Sequence, residues 1–405
     1  MKYFLNFSLL FRNRNYGLLF LGQFVSFMGT MIGGVALPYQ IYHETHSTLM
    51  VGLLGLFQLL PLLFTALIGG VFADRYHRRL LLLITETLLA IGALLLAWNA
   101  SRIAPHIGTI FFVASAMSAI TGLHRPALDS ITQQIVDKKD FTTVGALRTL
   151  QFSVSMIIGP AIGGLIIAHY GVMVTFIVDF ASFFVSTISL CLMTHIPKPN
   201  NRQEDESTFR SVKKGFQYAL SRQELIGTYL VDFVAMVFGM PNALFPAIAV
   251  SFGGAKTLGL LYSAPAVGAL LVSFWSGWFE KIKRHGAAVA VAAIGWGVSI
   301  IFFGMSHHLG LALFFLAWAG LFDAVSGIFR MTLWNQTIPT HIRGRMAGIE
   351  MISYLSGPRL GDTESGLVAS LFGVTTSVIS GGVLCVVGVA VCCFCLPRFW
   401  RYKAE

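Results

Sequence analysis

Charge is what this chain has least of. Asp, Glu, Lys and Arg make up 11% of its 405 residues, while 55% are hydrophobic. Soluble domains carry about a quarter charged residues, so an ordinary water-soluble globule is excluded. Cysteine is also scarce. Cys191, Cys385, Cys392, Cys393 and Cys395 lie in or beside apolar runs, and no spaced set indicates a disulfide framework. The Cys392-Cys393-Phe394-Cys395 cluster lacks a second ligand pair, so no metal centre is expected. Despite 41 glycines there is no Gly-x4-Gly-Lys-Ser/Thr phosphate loop, which argues against direct use of ATP. The N-terminus lacks a short apolar core with a small-residue cleavage site, so no removable signal peptide is expected.

Long apolar runs are what the chain has instead. Its mean hydropathy is +0.73. About 20 apolar residues cross roughly 30 Å of hydrocarbon. The runs define an all-α integral membrane protein with twelve spans: 17–42, 49–73, 80–100, 108–134, 142–168, 172–194, 224–251, 257–279, 287–305, 309–336, 343–371 and 374–396. The longer ones are expected to tilt. A polar interval, 195–223, separates two six-span halves, 1–194 and 224–405. It opens with Pro197, Lys198 and Pro199, passes through Glu204-Asp205-Glu206, and continues as an amphipathic stretch around Phe209, Val212, Phe216 and Leu220.

The formal charge of +10 does not point to nucleic acid, because the basic residues alternate with the spans instead of forming one face. With the N-terminus inside, 22 Lys and Arg fall in inner segments, and only Arg102 and Lys256 fall in outer loops. This bias places both termini in the cytoplasm. The two halves also echo each other at an offset of 202: Gln134 with Gln336, Gly159 with Gly361, Gly164 with Gly366, Leu165 with Leu367. A duplicated six-helix unit predicts such matches in equivalent spans. No Ser/His/Asp or metal-hydrolase constellation gathers on one side of the membrane, so catalysis is not expected.

Ionisable residues inside spans cost about 2.5–3.5 kcal/mol each on insertion scales and are functional candidates by default. Span four carries Arg125 and Asp129 at i, i+4, a spacing that permits self-neutralisation. Span ten carries Asp323 and Arg330 at i, i+7. Span eleven carries Arg359, Asp362 and Glu364 in a stretch rich in glycine with Pro358, where a broken or kinked helix is expected. Arginine stays charged and suits an anionic substrate, so Arg125, Arg330, Arg359 and Glu364 are the substrate-site candidates. A desolvated carboxylate can carry a proton. Asp362, Asp129, Asp323 and, in span seven, Asp232 are the candidates for proton coupling, in that order. Each pair has a structural alternative: an ion pair that only locks two helices. Polar positions such as Gln23, Tyr39, Gln40, Gln58, Gln151, Asn242 and Tyr262 more commonly serve helix packing than ligand contact. The 34 phenylalanines are read mainly as packing or lipid-facing side chains.

Between spans two and three the chain reads Gly70-Val71-Phe72-Ala73-Asp74-Arg75-Tyr76-His77-Arg78-Arg79. Topology explains the arginines but not Asp74. The run resembles the loop signature of the major facilitator superfamily. Gly159-Pro160-Ala161-Ile162-Gly163-Gly164 in span five is similar to that family's antiporter motif. Val136-Asp137-Lys138-Lys139-Asp140 and Ile338-Pro339-Thr340-His341-Ile342-Arg343-Gly344-Arg345 resemble its drug- and siderophore-efflux branch. His46-Ser47-Thr48, Gly69 through Arg75, and Gly361-Asp362 are most similar to the enterobactin-exporter group. The second-half copy of the loop is degenerate, with Gly277 at the place of Gly70 but Lys281 at that of Asp74.

The resemblance implies two six-helix bundles and a gating role for Gly70, Asp74, Arg75, Arg78, Arg79, Arg343 and Arg345. It also implies that spans four, ten and eleven face a central cavity, which ranks their charges above Glu86 of span three and Asp179 of span six. The implied activity is export of a small polar or anionic metabolite, a siderophore first. The implied setting is a bacterial cytoplasmic (inner) membrane, with the proton gradient as energy source and no bound cofactor. The implied partners are membrane lipids, the small-molecule substrate and an outer-membrane efflux channel. Rival readings are a multidrug or macrolide efflux pump, an importer of a metal–siderophore complex, and a non-transporting receptor or scaffold.

Overall fold

The computed structural model describes residues 7–194, 217–274, 279, 281–339 and 343–403, without the side chains of 70, 71, 73–75, 273, 274, 343–345, 347–349 and 351. The amphipathic stretch at 209–216 therefore lies outside the described residues. Every regular element among the described residues is helical. In hydrocarbon each backbone N–H and C=O must be satisfied within the protein, and a helix does this internally. In chain order the helices are α1 (Ser8–Arg12), α2 (Arg14–Thr45), α3 (Thr48–Arg75), α4 (Arg78–Ala100), α5 (Ile107–Ile135) and α6 (Phe141–Cys191). There follow α7 (Gln223–Phe238), α8 (Phe245–Phe252), α9 (Ala255–Phe274), α10 (His285–Gly304), α11 (Leu309–Thr337), α12 (Arg343–Phe372), α13 (Val374–Cys395) and α14 (Pro397–Trp400).

Ten stretches are long and apolar enough to cross a membrane. Two features account for the difference from twelve. Helix α6, 51 residues long, holds both expected spans five and six and reverses at Gly171 (φ 83°, ψ 174°). Helix α12 is 30 residues long and carries Arg359, Asp362 and Glu364; it stands outside the ten. With α6 counted twice and α12 added, the described residues offer twelve candidate spans.

Gly171 has a counterpart. Gly373 joins α12 to α13 at φ 89°, ψ 156°. The two glycines are 202 residues apart, the offset of the internal repeat. This backbone region is open essentially to glycine alone. The repeat is also visible in packing. A Cβ at Gly159 would run into Met31 of α2, and one at Gly361 into Met236 of α7. Span five thus lies on span one as span eleven lies on span seven, each approach needing a residue without a side chain.

Of the two forms expected for span eleven, broken or kinked, the broken one is not seen: α12 is one helix with Pro358 inside it. Such prolines are tolerated in spans because local adjustments satisfy the freed carbonyl. Span seven, read as one run over 224–251, stands as one candidate span, Gln223–Phe252, with an interruption inside it. It stops at Phe238, forms a 3-10 turn at Asn242–Leu244 and resumes as α8. Gly239 and Pro241 end the first helix there.

By contact the chain separates into two compact units. The first comprises residues 1–44 and 57–203; the second comprises 45–56, the start of α3, and 204–405. Within the second unit, Thr48 donates its hydroxyl to Gly366 O at 3.1 Å, and Thr363 donates to Gly52 O at 3.1 Å. Interiors favour small and polar side chains: Ser155, Ser186 and Thr228 are fully buried. Large apolar ones such as Phe64, Phe112 and Phe394 are two-thirds or more exposed, as lipid contact requires.

Candidate functional site

The break in span seven frees backbone groups that water cannot satisfy. Three side chains, Trp296, Tyr262 and Asp362, supply partners. Trp296 Nε1 donates to Gly239 O at 3.0 Å, and the Tyr262 hydroxyl donates to Asn242 O at 3.0 Å. Ala243 N–H donates to Asp362 Oδ1 at 3.1 Å. The carboxylate thus meets the positive end of the resumed helix, where an acceptor for free N–H groups is stabilising. Asp362 is therefore a partner of the break. Arg359 lies within electrostatic reach of it. Glu364, on the same helix, is half-buried.

Arg330 organises a second cluster in the same unit. Its guanidinium pairs closely with Asp232 of α7, both side chains being 13% exposed. Asp323 stands at 3.7 Å with 44% of its side chain exposed. The i, i+7 pairing expected within α11 is thus secondary to a cross-helix pair, because Asp232 is brought directly opposite. Glu350 of α12 adds a third acidic field at Arg330. Arg330 is thus met directly by Asp232, by Asp323 at 3.7 Å and by the field of Glu350.

In the first unit the expected pair Arg125–Asp129 does not form. Asp129 pairs instead with Arg148 of α6. A neighbouring helix supplies the better-placed cation, and Arg125 is left exposed. Arg79 donates from Nε to Leu190 O at 2.8 Å and from Nη2 to Cys191 O at 2.6 Å. Arg78 donates to Ser130 O at 3.3 Å. Both arginines meet carbonyls in or near the last turn of a helix, where a cation complements the dipole. The side chains of Gly70, Asp74, Arg75, Arg343 and Arg345 lie outside the described residues; their backbones are helical in α3 and α12. Gly159, Pro160, Gly163 and Gly164 are buried, and Gly159 and Gly163 lie against Met31 and Ile32 of α2.

Sequence reasoning ranked Glu86 low as a member of an outer helix, and it never singled out His124. The structure puts both inside the first unit. Glu86 is 0% exposed. Its Oε1 accepts from Gln23 Nε2 at 2.6 Å and Ser186 Oγ at 3.0 Å, and its Oε2 from Ser26 Oγ at 3.3 Å. His124 Nε2 lies 3.6 Å from Oε1. Asp179, 5% exposed, lies against Gly29 and Gly33 of α2. The available signal was an intramembrane acid and histidine in the same half; the helix periodicity did not say that their faces meet.

A helical protein that crosses the membrane repeatedly and holds acids and arginines inside its spans is built as a solute carrier. The chain belongs to the major facilitator superfamily, whose sequence pattern matches residues 19–361. It is similar to the enterobactin exporter EntS of Citrobacter koseri, 28% identical over 390 residues, covering 96% of this chain and 93% of the relative. The protein of that name from Salmonella typhimurium is likewise 28% identical, over 96% of this chain and 94% of its own. Among solved structures, a bacterial homolog of the human lysosomal transporter Spinster superposes with TM-score 0.77 at 14% identity, covering 98% of this chain and 99% of that one. The nucleoside transporter NupG superposes with TM-score 0.74 at 14% identity, covering 95% and 100%. These structures carry the fold. The relatives are transporters, not enzymes, and the protein is a multi-pass membrane transporter of a small-molecule substrate.

Proposed function

We propose that this transporter exports a small polar or anionic metabolite, a siderophore first, from the cytoplasm by proton antiport. It does so in a bacterial inner membrane with both termini cytoplasmic. The observation that carries the reading is the full-length similarity to exporters named for enterobactin. The 22-to-2 division of basic residues supports the orientation. Of the arginines proposed for an anionic substrate, Arg330 is neutralised by its neighbours and Arg359 is coupled to Asp362. Exposed Arg125 becomes the leading contact. Asp362 is the leading proton carrier. A proton on its carboxyl weakens its hold on Ala243 N–H and so links protonation to the break in span seven. Asp74 takes a conformational role. An outer-membrane efflux channel is the partner that would carry the substrate onward.

The test is flux in proteoliposomes under an imposed pH gradient, with a catecholate siderophore and a cationic drug in parallel. Gradient-driven catecholate flux is expected. Asp362→Asn is expected to abolish that flux while leaving catecholate binding intact. A second reading, multidrug efflux, is favoured by one observation: Asp323 offers a 44% exposed carboxylate beside a neutralised arginine. Flux of the cation alone would put that reading first.

A further inference from the structure

Four helices of the first unit meet at a polar cluster that the assignments above leave unused. Its centre is Glu86 of α4, with 1% of its side chain exposed, and His124 of α5, with 11%. Helix α2 contributes Gln23 and Ser26, and the second half of α6 contributes Ser186.

The hydrogen-bond pattern fixes where hydrogens can sit. Thr85 Oγ1 lies 2.9 Å from Leu81 O and 3.0 Å from Leu82 O. Its single proton is committed to those carbonyls, so it presents a lone pair to His124 Nδ1 at 2.9 Å. Gln23 uses its amide N–H on Glu86 and turns Oε1 toward His124 Nε2 at 3.3 Å. Both ring nitrogens therefore face acceptors. That arrangement gives a proton on either ring nitrogen an acceptor. If the imidazole gives up its Nε2 proton, Glu86 remains an anion held by Gln23, Ser26 and Ser186. If Glu86 is protonated, the serine hydroxyls can rotate to accept from it. The cluster thus accommodates more than one proton count without moving a helix.

Two further charges face this interior. Arg125 adjoins His124 on α5 and acts on it electrostatically. Asp179 of α6 acts on Glu86, and its Oδ1, buried in the bundle, has no hydrogen-bond partner. Two acids here face one histidine and one arginine, so a neutral imidazole leaves one negative charge in excess. Burying that charge is costly, so with the imidazole neutral one acid carries a proton.

We infer that Glu86 and His124 form a proton-binding site inside the first unit, separate from Asp362, in which the Glu86 carboxyl takes up and releases a proton beside the His124 ring. The proton is held on the Glu86 carboxyl; on release it passes to water, and the negative charge stays on Glu86 among its three donors. The use of this site in transport rests on the antiport reading; its existence does not.

The experiment is infrared difference spectroscopy of the purified full chain in lipid nanodiscs, between pH 5 and pH 9, without substrate. The wild type should show a protonation-dependent carboxyl band that E86Q removes. H124Q should shift the midpoint of that band by about one pH unit or more, the effect of deleting an adjacent charge. D179N should leave it in place. With ring-labelled histidine, the wild type minus H124Q spectrum should show His124 ring bands that shift at the midpoint of the carboxyl band, a readout that stands even if E86Q fails to insert. A difference spectrum unchanged by E86Q, or a His124 ring silent across the range, overturns the proposal. A titrating cluster in a protein without gradient-driven flux would sink antiport alone. Gradient-driven flux with a silent cluster would sink this site alone.

Discussion

The two units hide ions in their interiors by different means. In the first, Glu86 is surrounded by neutral donors: the Gln23 amide and the Ser26 and Ser186 hydroxyls, with His124 at the edge. In the second, Arg330 is met by the full opposite charge of Asp232, with Asp323 behind it. Donors of hydrogen bonds can hold either protonation state of an acid. An arginine, always charged, needs a charged partner. The difference assigns adjustable charge to the Glu86 cluster and fixed charge to the Arg330 cluster, although both units repeat the same backbone.

The strongest way to break that contrast is to remove the fixed partner. Asp232→Ala should lower thermal stability by about 3–5 kcal/mol, the cost of leaving a buried ion unpaired. Thermal melts in detergent would read it. A loss below about 1 kcal/mol would mean that Asp323 closes from 3.7 Å and takes over the pair. The shared backbone is tested by a matched pair. Gly171→Ala and Gly373→Ala should each cost about 1–3 kcal/mol, and by similar amounts, because the strain is the same and no neighbouring atom lies in the way at either site. Unequal losses would argue that the repeat at offset 202 is not carried by these turns.

Substrate binding sharpens the comparison further. Arg125→Gln should weaken catecholate binding by at least about 1.5 kcal/mol, the lower bound for a hydrogen bond to a charged group. Arg330→Gln should fold less well yet bind the remaining substrate unchanged. The reverse pattern in a binding titration would move the anion site to the second unit. The smallest effect belongs to the loop. Arg79→Gln should cost about 0.3–1 kcal/mol of stability through lost contact with the carbonyls that end α6. A normal melting temperature with defective flux would return Arg79 to gating.

What the sequence by itself determined was the periodic part. Apolar runs, their lengths and the family motifs specified an all-helical, multi-pass transporter. The offset of 202 is realised at Gly159 and Gly361, each lying on the first helix of its own half. These features are legible because a bilayer requires each span to satisfy its own backbone, so one stretch of sequence suffices to define one element. Partner choice is not local in that way. Arg125 and Asp129 have the spacing of a pair, but Arg148 from another helix takes Asp129. Asp323 shares a face with Arg330, but Asp232 is nearer. Pro358 suggested the break in span eleven, whereas Gly239 and Pro241 made it in span seven and Asp362 came to meet it. Glu86 and His124 lie on separate helices with no spacing to connect them. Only tertiary packing decides which buried charges meet, because the cost of burying an ion is set by everything around it and not by its own helix.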